Sequence, residues 1–110
     1  MSPSLRTAYA RGRAFEYRVQ RELAAIAGAV FRSAGSHSPV DLIWCARDFI
    51  APRAVQCKTE GAEMGPKARK AYYDFCAALG LVPLVATRKR GGFRLDRVLK
   101  DGAVVTMIGD

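Results

Sequence analysis

The feature that most constrains the fold is a strand–helix–strand pattern over residues 53–87. Residues 53–59 alternate between apolar and polar side chains, which is the period of a strand with two distinct faces. Residues 81–87 form a continuous apolar run, which is typical of a central strand buried on both faces. Because such a strand needs a covering layer on each side, the pattern predicts an α/β sandwich with a mixed sheet.

Two helices are predicted from apolar side chains that recur at helical spacing. The first covers residues 11–27 and ends at Gly28, and its predicted buried stripe consists of Phe15, Val19, Leu23 and Ile26. The second covers residues 67–79 and ends at Gly80, and its predicted buried face consists of Ala68, Tyr72, Phe75 and Leu79. We therefore expect a central mixed β-sheet flanked by helices.

The other segments are short. Further strands are predicted over residues 29–32 and 40–46, with weaker candidates at 93–95 and 103–107, and loops over residues 35–39 and 61–66. Residues 1–10 are expected to form a flexible N-terminal arm. A chain of 110 residues has the size of one domain, so residues 1–110 are assigned to a single domain.

The composition is that of a globular protein, with 50% hydrophobic and 25% charged residues. No apolar run approaches the ~20 residues that a membrane span needs, and no signal peptide is visible. The three cysteines, Cys45, Cys57 and Cys76, have no CxxC spacing, which argues against a zinc site and a disulfide framework. We expect a cytoplasmic protein with reduced thiols and no membrane partner.

The charge indicates the class of partner. Eighteen Lys and Arg residues against ten Asp and Glu residues give a formal net charge of +8. A charge this large on a small domain is typical of proteins that bind a polyanion, and nucleic acid is the commonest such partner. Arginine, which grips phosphate with two hydrogen bonds at once, is frequent near the start of the chain, at Arg6, Arg11, Arg13, Arg18 and Arg21.

One group of polar residues has the composition of a metal site. Asp41 is a single carboxylate inside an apolar run, and a buried carboxylate needs a cation as partner. Gln56 and Lys58 share one face of the strand at residues 53–59, which taken alone is also compatible with an exposed face. If the strands that contain Asp41 and Gln56 pair as a hairpin, the two residues lie side by side. Their oxygen ligands would suit Mg²⁺ or Mn²⁺.

The same residues belong to a known pattern. PVD at residues 39–41 followed by QCK at residues 56–58 resembles the PD-(D/E)xK nuclease signature, with glutamine in place of the second acid. RGRAFE at residues 11–16 and FRSAGS at residues 31–36 resemble the start of the archaeal-type Holliday junction resolvases. The resemblance covers residues 11 to about 95.

The resemblance implies a fold and an activity. The fold would be a restriction-endonuclease-like core. The activity would be that of a Mg²⁺-dependent endodeoxyribonuclease, with Mn²⁺ able to substitute, that resolves four-way junctions by paired hydrolysis of phosphodiester bonds. The partners would be branched double-stranded DNA and a second copy of the chain, as in DNA recombination and repair. Such an enzyme would work in the cytoplasm of an archaeal, bacterial or phage-infected cell.

The resemblance also implies residue roles. Glu16, Asp41 and Gln56 would be metal ligands, Lys58 the catalytic lysine, and Ser36 a catalytic residue near the scissile phosphate. The expected DNA contacts are Arg11, Arg13, Arg32, Ser36, His37 and Lys67. Paired cuts suggest a twofold dimer, for which the candidate apolar residues are Tyr73, Phe93, Val104, Val105 and Met107.

Glutamine at position 56 keeps other functions open. An amide oxygen can coordinate Mg²⁺ but brings no charge, so we expect weaker metal affinity than with an acid at this position. The alternatives are a flap, nicking or repair nuclease of the same fold, a non-catalytic junction-binding relative, and a basic RNA-associated protein in which Asp41 and Lys58 are structural.

Overall fold

A computed structural model describes residues 3–33 and 38–109. In this part of the chain the two helices are α1 (Pro3–Ile26) and α2 (Pro66–Ala78). The strands are β1 (Ala29–Arg32), β2 (Leu42–Cys45), β3 (Arg53–Lys58), β4 (Val82–Lys89), β5 (Gly92–Val98) and β6 (Val104–Ile108). Neither helix is long and apolar enough to cross a membrane.

The six strands form one sheet in chain order, β1 to β6. Only β3 and β4 pair in parallel, while the four other neighbouring pairs are antiparallel. The parallel pair is the one that α2 connects, because a chain must cross from one end of the sheet to the other to start a parallel strand. The predicted mixed sheet and the strand–helix–strand crossover are therefore confirmed.

Each helix covers one face of the sheet. Phe15, Val19 and Leu23 of α1 pack with one set of buried strand residues, which includes Val55, Leu84 and Ala86. Tyr72 and Cys76 of α2 pack with the alternate set, which includes Ala54 and Val85. Because side chains alternate along a strand, consecutive residues of β3 and β4 contribute to opposite layers. This division explains why the apolar run of β4 is continuous.

Helix α1 differs from its prediction at both ends. It begins at Pro3, so residues 3–10, which the sequence assigned to an arm, are its first turns. Ile26, predicted to be buried, is 58% exposed because it is the last helical residue and lies at the rim of the packed layer. The chain then turns at Gly28, whose φ of 62° is in the left-handed region that favours glycine.

The buried face of α2 was predicted correctly at Tyr72 and wrongly at Ala68, Phe75 and Leu79. Tyr72 and Cys76 are buried, whereas Phe75 is 39% and Leu79 60% exposed, and Ala68 is exposed as well. Hydrogen bonds fix the rotation of the helix. The Arg69 guanidinium donates to the carbonyl oxygens of Gly102 (2.6 Å) and Met64 (2.7 Å), and the Tyr72 hydroxyl donates to the carbonyl oxygen of Leu84 (2.8 Å). Apolar spacing alone could not reveal these polar contacts.

Candidate functional site

Asp41 lies at the point where β2 begins. The β2–β3 hairpin pairs Leu42 with Val55, so Asp41 lies beside Gln56 and Cys57 of the neighbouring strand. Its backbone N–H donates to the Val55 carbonyl oxygen (3.0 Å), and its Oδ2 accepts a hydrogen bond from the Cys57 N–H (2.8 Å). The Asp41 carboxylate thus accepts the hydrogen bond that a backbone carbonyl of a neighbouring strand would otherwise accept from the Cys57 N–H. This hydrogen bond fixes the orientation of the carboxylate. The predicted hairpin is confirmed.

Glu16 of α1 is the second carboxylate of this region. Burial and the negative charge of Asp41 raise the pKa of Glu16, while the nearby Arg32 and Arg13 lower it. The Arg32 Nη2 lies 3.9 Å from Glu16 Oε1. Burial raises the pKa of Asp41, and the Cys57 N–H, Lys58 and Arg32 oppose this effect. Two carboxylates are therefore close enough to influence each other, and three cations lie around them.

Gln56 carries a buried oxygen that lacks a hydrogen-bond partner among the described residues. This atom, Oε1, is the one buried side-chain polar atom left unsatisfied in that part of the chain. Leaving a buried acceptor unpaired costs about 1–3 kcal/mol, so such atoms are rare and often mark a site for an ion or another ligand. In the register of the β2–β3 hairpin, Gln56 is the neighbour of Asp41.

The sheet separates the proposed ligands into two groups. Gln56 and Lys58 alternate with Val55 and Cys57, which belong to the layer under α1, so they lie on the face that α2 covers. Glu16 reaches the region from α1 on the opposite face. Asp41 lies between them, at an edge of β3 that β2 leaves uncovered, because β2 begins only at Leu42. The structure therefore brings Asp41 together with Glu16 and with Lys58, but it does not place Glu16 and Gln56 on one face.

The donor atoms fit a hard divalent cation. Carboxylate oxygens of Glu16 and Asp41 and the orphaned amide oxygen of Gln56 are the ligand types that Mg²⁺ and Mn²⁺ prefer. Burial and the two carboxylates raise the pKa of the Cys57 thiol, which keeps it protonated and unsuited to bind a metal. No three His, Cys, Asp or Glu side chains form a metal-binding group within residues 3–33 and 38–109.

The loop before Asp41 carries two further predicted residues. Ser36 and His37 lie outside the described residues, so their predicted roles stay predictions. The loop is described on both sides of them. The Ser33 N–H donates to the Asp41 carbonyl oxygen (2.9 Å), and Ser38 Oγ accepts a bond from the Val40 N–H (3.0 Å). Both ends of the loop are thus attached within one residue of Asp41.

The predicted DNA contacts fall in three places. Arg13 and Arg32 lie beside Glu16, where both lower its pKa. Arg11 lies on the other flank of α1, where it lines a groove with Arg18 and Arg88. Lys67 lies in the first turn of α2, which packs against the β5–β6 turn through the Arg69–Gly102 hydrogen bond. The pairings of β3 with β4, β4 with β5 and β5 with β6 put that turn at the opposite end of the sheet from Lys58.

Sequence reasoning missed a group of cations. The groove that contains Arg11 is also lined by Arg88, Lys89 and Arg90, which lie at the end of β4 and in the β4–β5 turn. A signal was available in the sequence, because three consecutive cations precede Gly91 and Gly92 directly after a buried strand. Only the fold, however, brings this turn next to α1.

The candidate dimer residues differ in how far they are exposed to solvent. Tyr73 and Phe93 are partly buried and pack against the two core layers. Val104, Val105 and Met107 of β6 are 41%, 51% and 41% exposed. Of the five candidate dimer residues, the exposed ones are therefore those of β6.

Comparisons with known proteins support the fold. No protein-family model matches the chain, and no curated protein matches it. A solved structure that is similar is that of Archaeoglobus fulgidus Hjc, a Holliday junction resolvase from an archaeal hyperthermophile. The sequences are 22% identical, the TM-score is 0.59, and the match covers 77% of this chain and 70% of that chain. This similarity confirms the predicted restriction-endonuclease-like fold class.

Proposed function

We propose that the chain is a metal-dependent endodeoxyribonuclease that resolves four-way DNA junctions. The observation that supports this most is the environment of Asp41, which the Cys57 N–H holds in place between the Glu16 carboxylate and the Lys58 ammonium. The fold shared with a Holliday junction resolvase supports four-way DNA as the proposed substrate. The net charge of +8 suits a DNA substrate of any shape.

Glu16, Asp41 and Gln56 would hold Mg²⁺, and Mn²⁺ would be able to substitute for it. When bound, the metal would supply Lewis acidity and lower the pKa of a water molecule. In the reaction, a water molecule gives up a proton as its oxygen forms a bond to phosphorus, the bond from phosphorus to the 3′ oxygen breaks, and the departing 3′ oxygen takes up a proton from solvent. The products are a 5′-phosphate and a 3′-hydroxyl.

The chain's own residues have separate tasks in this proposal. The Lys58 ammonium orients the attacking water and stabilises the negative charge that grows on the phosphate oxygens. The Cys57 N–H occupies Asp41 Oδ2 and leaves Oδ1 of the same carboxylate for a ligand. Arg13 and Arg32, both exposed beside Glu16, bind phosphates on either side of the cut. Ser36 is proposed to contact the scissile phosphate, and His37 and Lys67 to contact DNA.

We also infer that the enzyme acts as a homodimer joined through β6. A junction needs two symmetric cuts, and each chain carries one candidate site. β6 is at the edge of the sheet, so one row of its backbone N–H and C=O groups has no strand partner among the described residues. Its sequence VVTMI contains no charge and no proline, the residues that usually protect an edge strand from pairing. Antiparallel pairing of two β6 strands has the required twofold symmetry.

The first experiment tests substrate and metal together. End-labelled four-way, three-way, flap and linear duplex DNA are incubated with the protein in Mg²⁺, in Mn²⁺ and in EDTA, and the cuts are mapped. We expect paired, symmetric cuts in the four-way junction with either metal and none in EDTA. Preferred cutting of flaps would instead support the alternative repair nuclease.

The second experiment tests the residues. Asp41→Asn and Lys58→Ala should each reduce cleavage at least about 100-fold while junction affinity changes little, because affinity comes from the basic surface. Asp74→Asn is the matched control, because Asp74 is 60% exposed in an ion pair with Lys70 on α2. A tenth of wild-type cleavage by folded Asp41→Asn would show that Asp41 is not the central ligand.

One observation favours a second function. The site has a neutral amide at position 56, and Glu16 and Gln56 lie on opposite sheet faces, an arrangement compatible with a junction-binding protein that does not cut. Tight junction binding without cleavage in Mg²⁺ or Mn²⁺ would establish this alternative.

A further inference from the structure

Helix α1 has two flanks that serve different parts of the molecule. Gln20 Nε2 donates to the Val30 carbonyl oxygen (2.9 Å), so one flank, which also carries Glu16, faces β1. Arg18 Nη2 donates to the Gly91 carbonyl oxygen (3.0 Å), so the other flank faces the β4–β5 turn. Arg11 lies two helical turns before Arg18 and therefore on this same flank. The candidate metal ligand and these two arginines lie on opposite sides of one helix.

A groove of about 630 Å³ lies between the second flank and the β4–β5 turn. We call it the basic groove, because five cations line it: Arg11, Arg18, Arg88, Lys89 and Arg90. Thr59 and Glu60 complete one wall, and Glu60 is the single acidic residue in the lining. No large apolar side chain lines the groove, which argues against an apolar ligand or a membrane anchor.

The five cations differ in how they are paired. Arg18 is held by Glu22 (2.9 Å) and by Gly91, so it fixes the turn to the helix. Lys89 lies 4.0 Å from Glu63. Arg11, Arg88 and Arg90 form no ion pair within the described ranges. Three exposed guanidinium groups therefore converge with no compensating carboxylate other than Glu60, which produces a strong positive potential in a concave surface.

The position of the basic groove relates it to the candidate site. Thr59 directly follows Lys58, and Lys58 pairs with Thr87 immediately before Arg88. The groove and the candidate catalytic lysine thus share the C-terminal end of the parallel β3–β4 pair. A DNA arm bound in the groove would therefore lie at the same end of the sheet as Lys58.

We propose that the basic groove binds the sugar–phosphate backbone of a DNA arm adjacent to the cleavage site. The proposal rests on the proposed function and adds the surface that orients its substrate. Guanidinium groups match phosphate with two parallel hydrogen bonds, and repeated phosphates at regular spacing suit several arginines in a row. Thr59, a neutral donor beside them, can contact a further phosphate oxygen.

The test compares two double variants that each remove two positive charges. Arg11→Gln with Arg88→Gln changes the groove but leaves Arg18, which holds the turn. Arg47→Gln with Lys100→Gln is the matched control, because both residues are exposed in turns at the opposite end of the sheet. Junction affinity is measured by fluorescence anisotropy in EDTA over a series of salt concentrations, with thermal unfolding as a check on folding.

We expect the groove variant to bind at least tenfold more weakly at 0.1 M salt, and the slope of log K against log salt to fall by about 1.8, since each lost phosphate contact contributes about 0.9. The control should keep the wild-type slope. Equal slopes in both variants, with wild-type binding and cleavage intact, would overturn the groove and leave the proposed function standing.

Other outcomes are equally decisive. A wild-type protein that binds no DNA would overturn the function and the groove together. Stronger binding to an acidic peptide than to DNA, lost in the groove variant only, would assign the groove to a protein partner instead. Rescue of affinity by Arg11→Lys with Arg88→Lys would support contact with phosphate through charge.

Discussion

At the residue scale, Gln56 is the position at which the side chain best for stability differs from the side chain that the proposed metal site needs. Its buried Oε1 has no hydrogen-bond partner in the part of the chain that the structure describes, which is unfavourable for stability. A leucine there would remove the orphaned oxygen. The glutamine keeps a polar atom that is unfavourable for folding, and the proposed role as a metal ligand would explain why.

The wild type, Gln56→Glu and Gln56→Leu should differ in the Mg²⁺ concentration that they need for cleavage. Gln56→Glu should lower the Mg²⁺ concentration for half-maximal junction cleavage, because a third negative charge strengthens metal binding. Gln56→Leu should raise it above that of the wild type while leaving the free energy of unfolding equal or higher. The measurement is a Mg²⁺ titration of initial cleavage rates for all three proteins.

The rate at saturating metal can change in either direction, since tighter binding of the metal in the ground state need not favour the transition state. Identical midpoints for the three proteins would show that Gln56 lies outside the metal shell, in line with its position on the sheet face opposite Glu16.

At the element scale, the connection from α1 to β1 determines whether Glu16 can approach Asp41. The Trp44 indole N–H donates to the Ala27 carbonyl oxygen (2.8 Å), and Gly28 then reverses the chain next to β2. A Cβ atom on Gly28 would lie 1.8 Å from the carbonyl oxygen of Cys45. The close approach of this turn to β2 is therefore possible only with glycine.

We predict that Gly28→Ala lowers the free energy of unfolding by more than about 3 kcal/mol, because a main-chain atom blocks the new methyl group. Gly61→Ala is the matched control. Its φ of 86° is also left-handed, but no atom lies within 4 Å of the new Cβ, so only the backbone penalty of about 1–2 kcal/mol applies. Urea denaturation followed by tryptophan fluorescence measures both. A similar decrease in the free energy of unfolding in the two variants would mean that β2 can move away from the turn without a cost in stability.

At the scale of the whole molecule, the two ends of the sheet have different characters. The end with Lys58 carries the candidate site and the basic groove, and the opposite end carries the β2–β3 and β5–β6 turns. The edge strand β6 runs between these ends and is exposed along nearly all of its length. The surface proposed to bind DNA and the surface proposed to form the dimer are therefore separate. A dimeric enzyme that makes paired cuts needs both surfaces at the same time.

We predict that the protein sediments at twice the chain mass of 12.0 kDa. Val105→Lys with Met107→Lys should convert it to a monomer, because two charges on an edge strand oppose pairing with a second copy. The same variant should nick junctions instead of cutting them in pairs. The comparison variant is Leu79→Lys, which alters an apolar side chain on α2 that is 60% exposed. Loss of the dimer in Leu79→Lys alone would move the interface from β6 to α2.

The order of elements and the choice of candidate site residues followed from the sequence alone. Period-two alternation in β3, the continuous apolar run of β4 and the helical stripe of α1 each reflect local geometry, which neighbouring residues determine. Asp41, Gln56 and Lys58 could be selected for the same reason, because a polar residue in an apolar run stands out without knowledge of the fold. The matching motifs then added Glu16.

The tertiary structure decided which groups meet. Nothing local shows that Phe75 faces away from the sheet, because hydrogen bonds from Arg69 to Gly102 and from Tyr72 to Leu84 fix the helix against distant parts of the chain. Nor does local sequence show that Arg88 lies beside Arg11, or that Glu16 and Gln56 approach Asp41 from opposite faces. These relations depend on strand register and helix packing, which are properties of the whole chain. Residues far apart in sequence become neighbours only when the whole chain has folded.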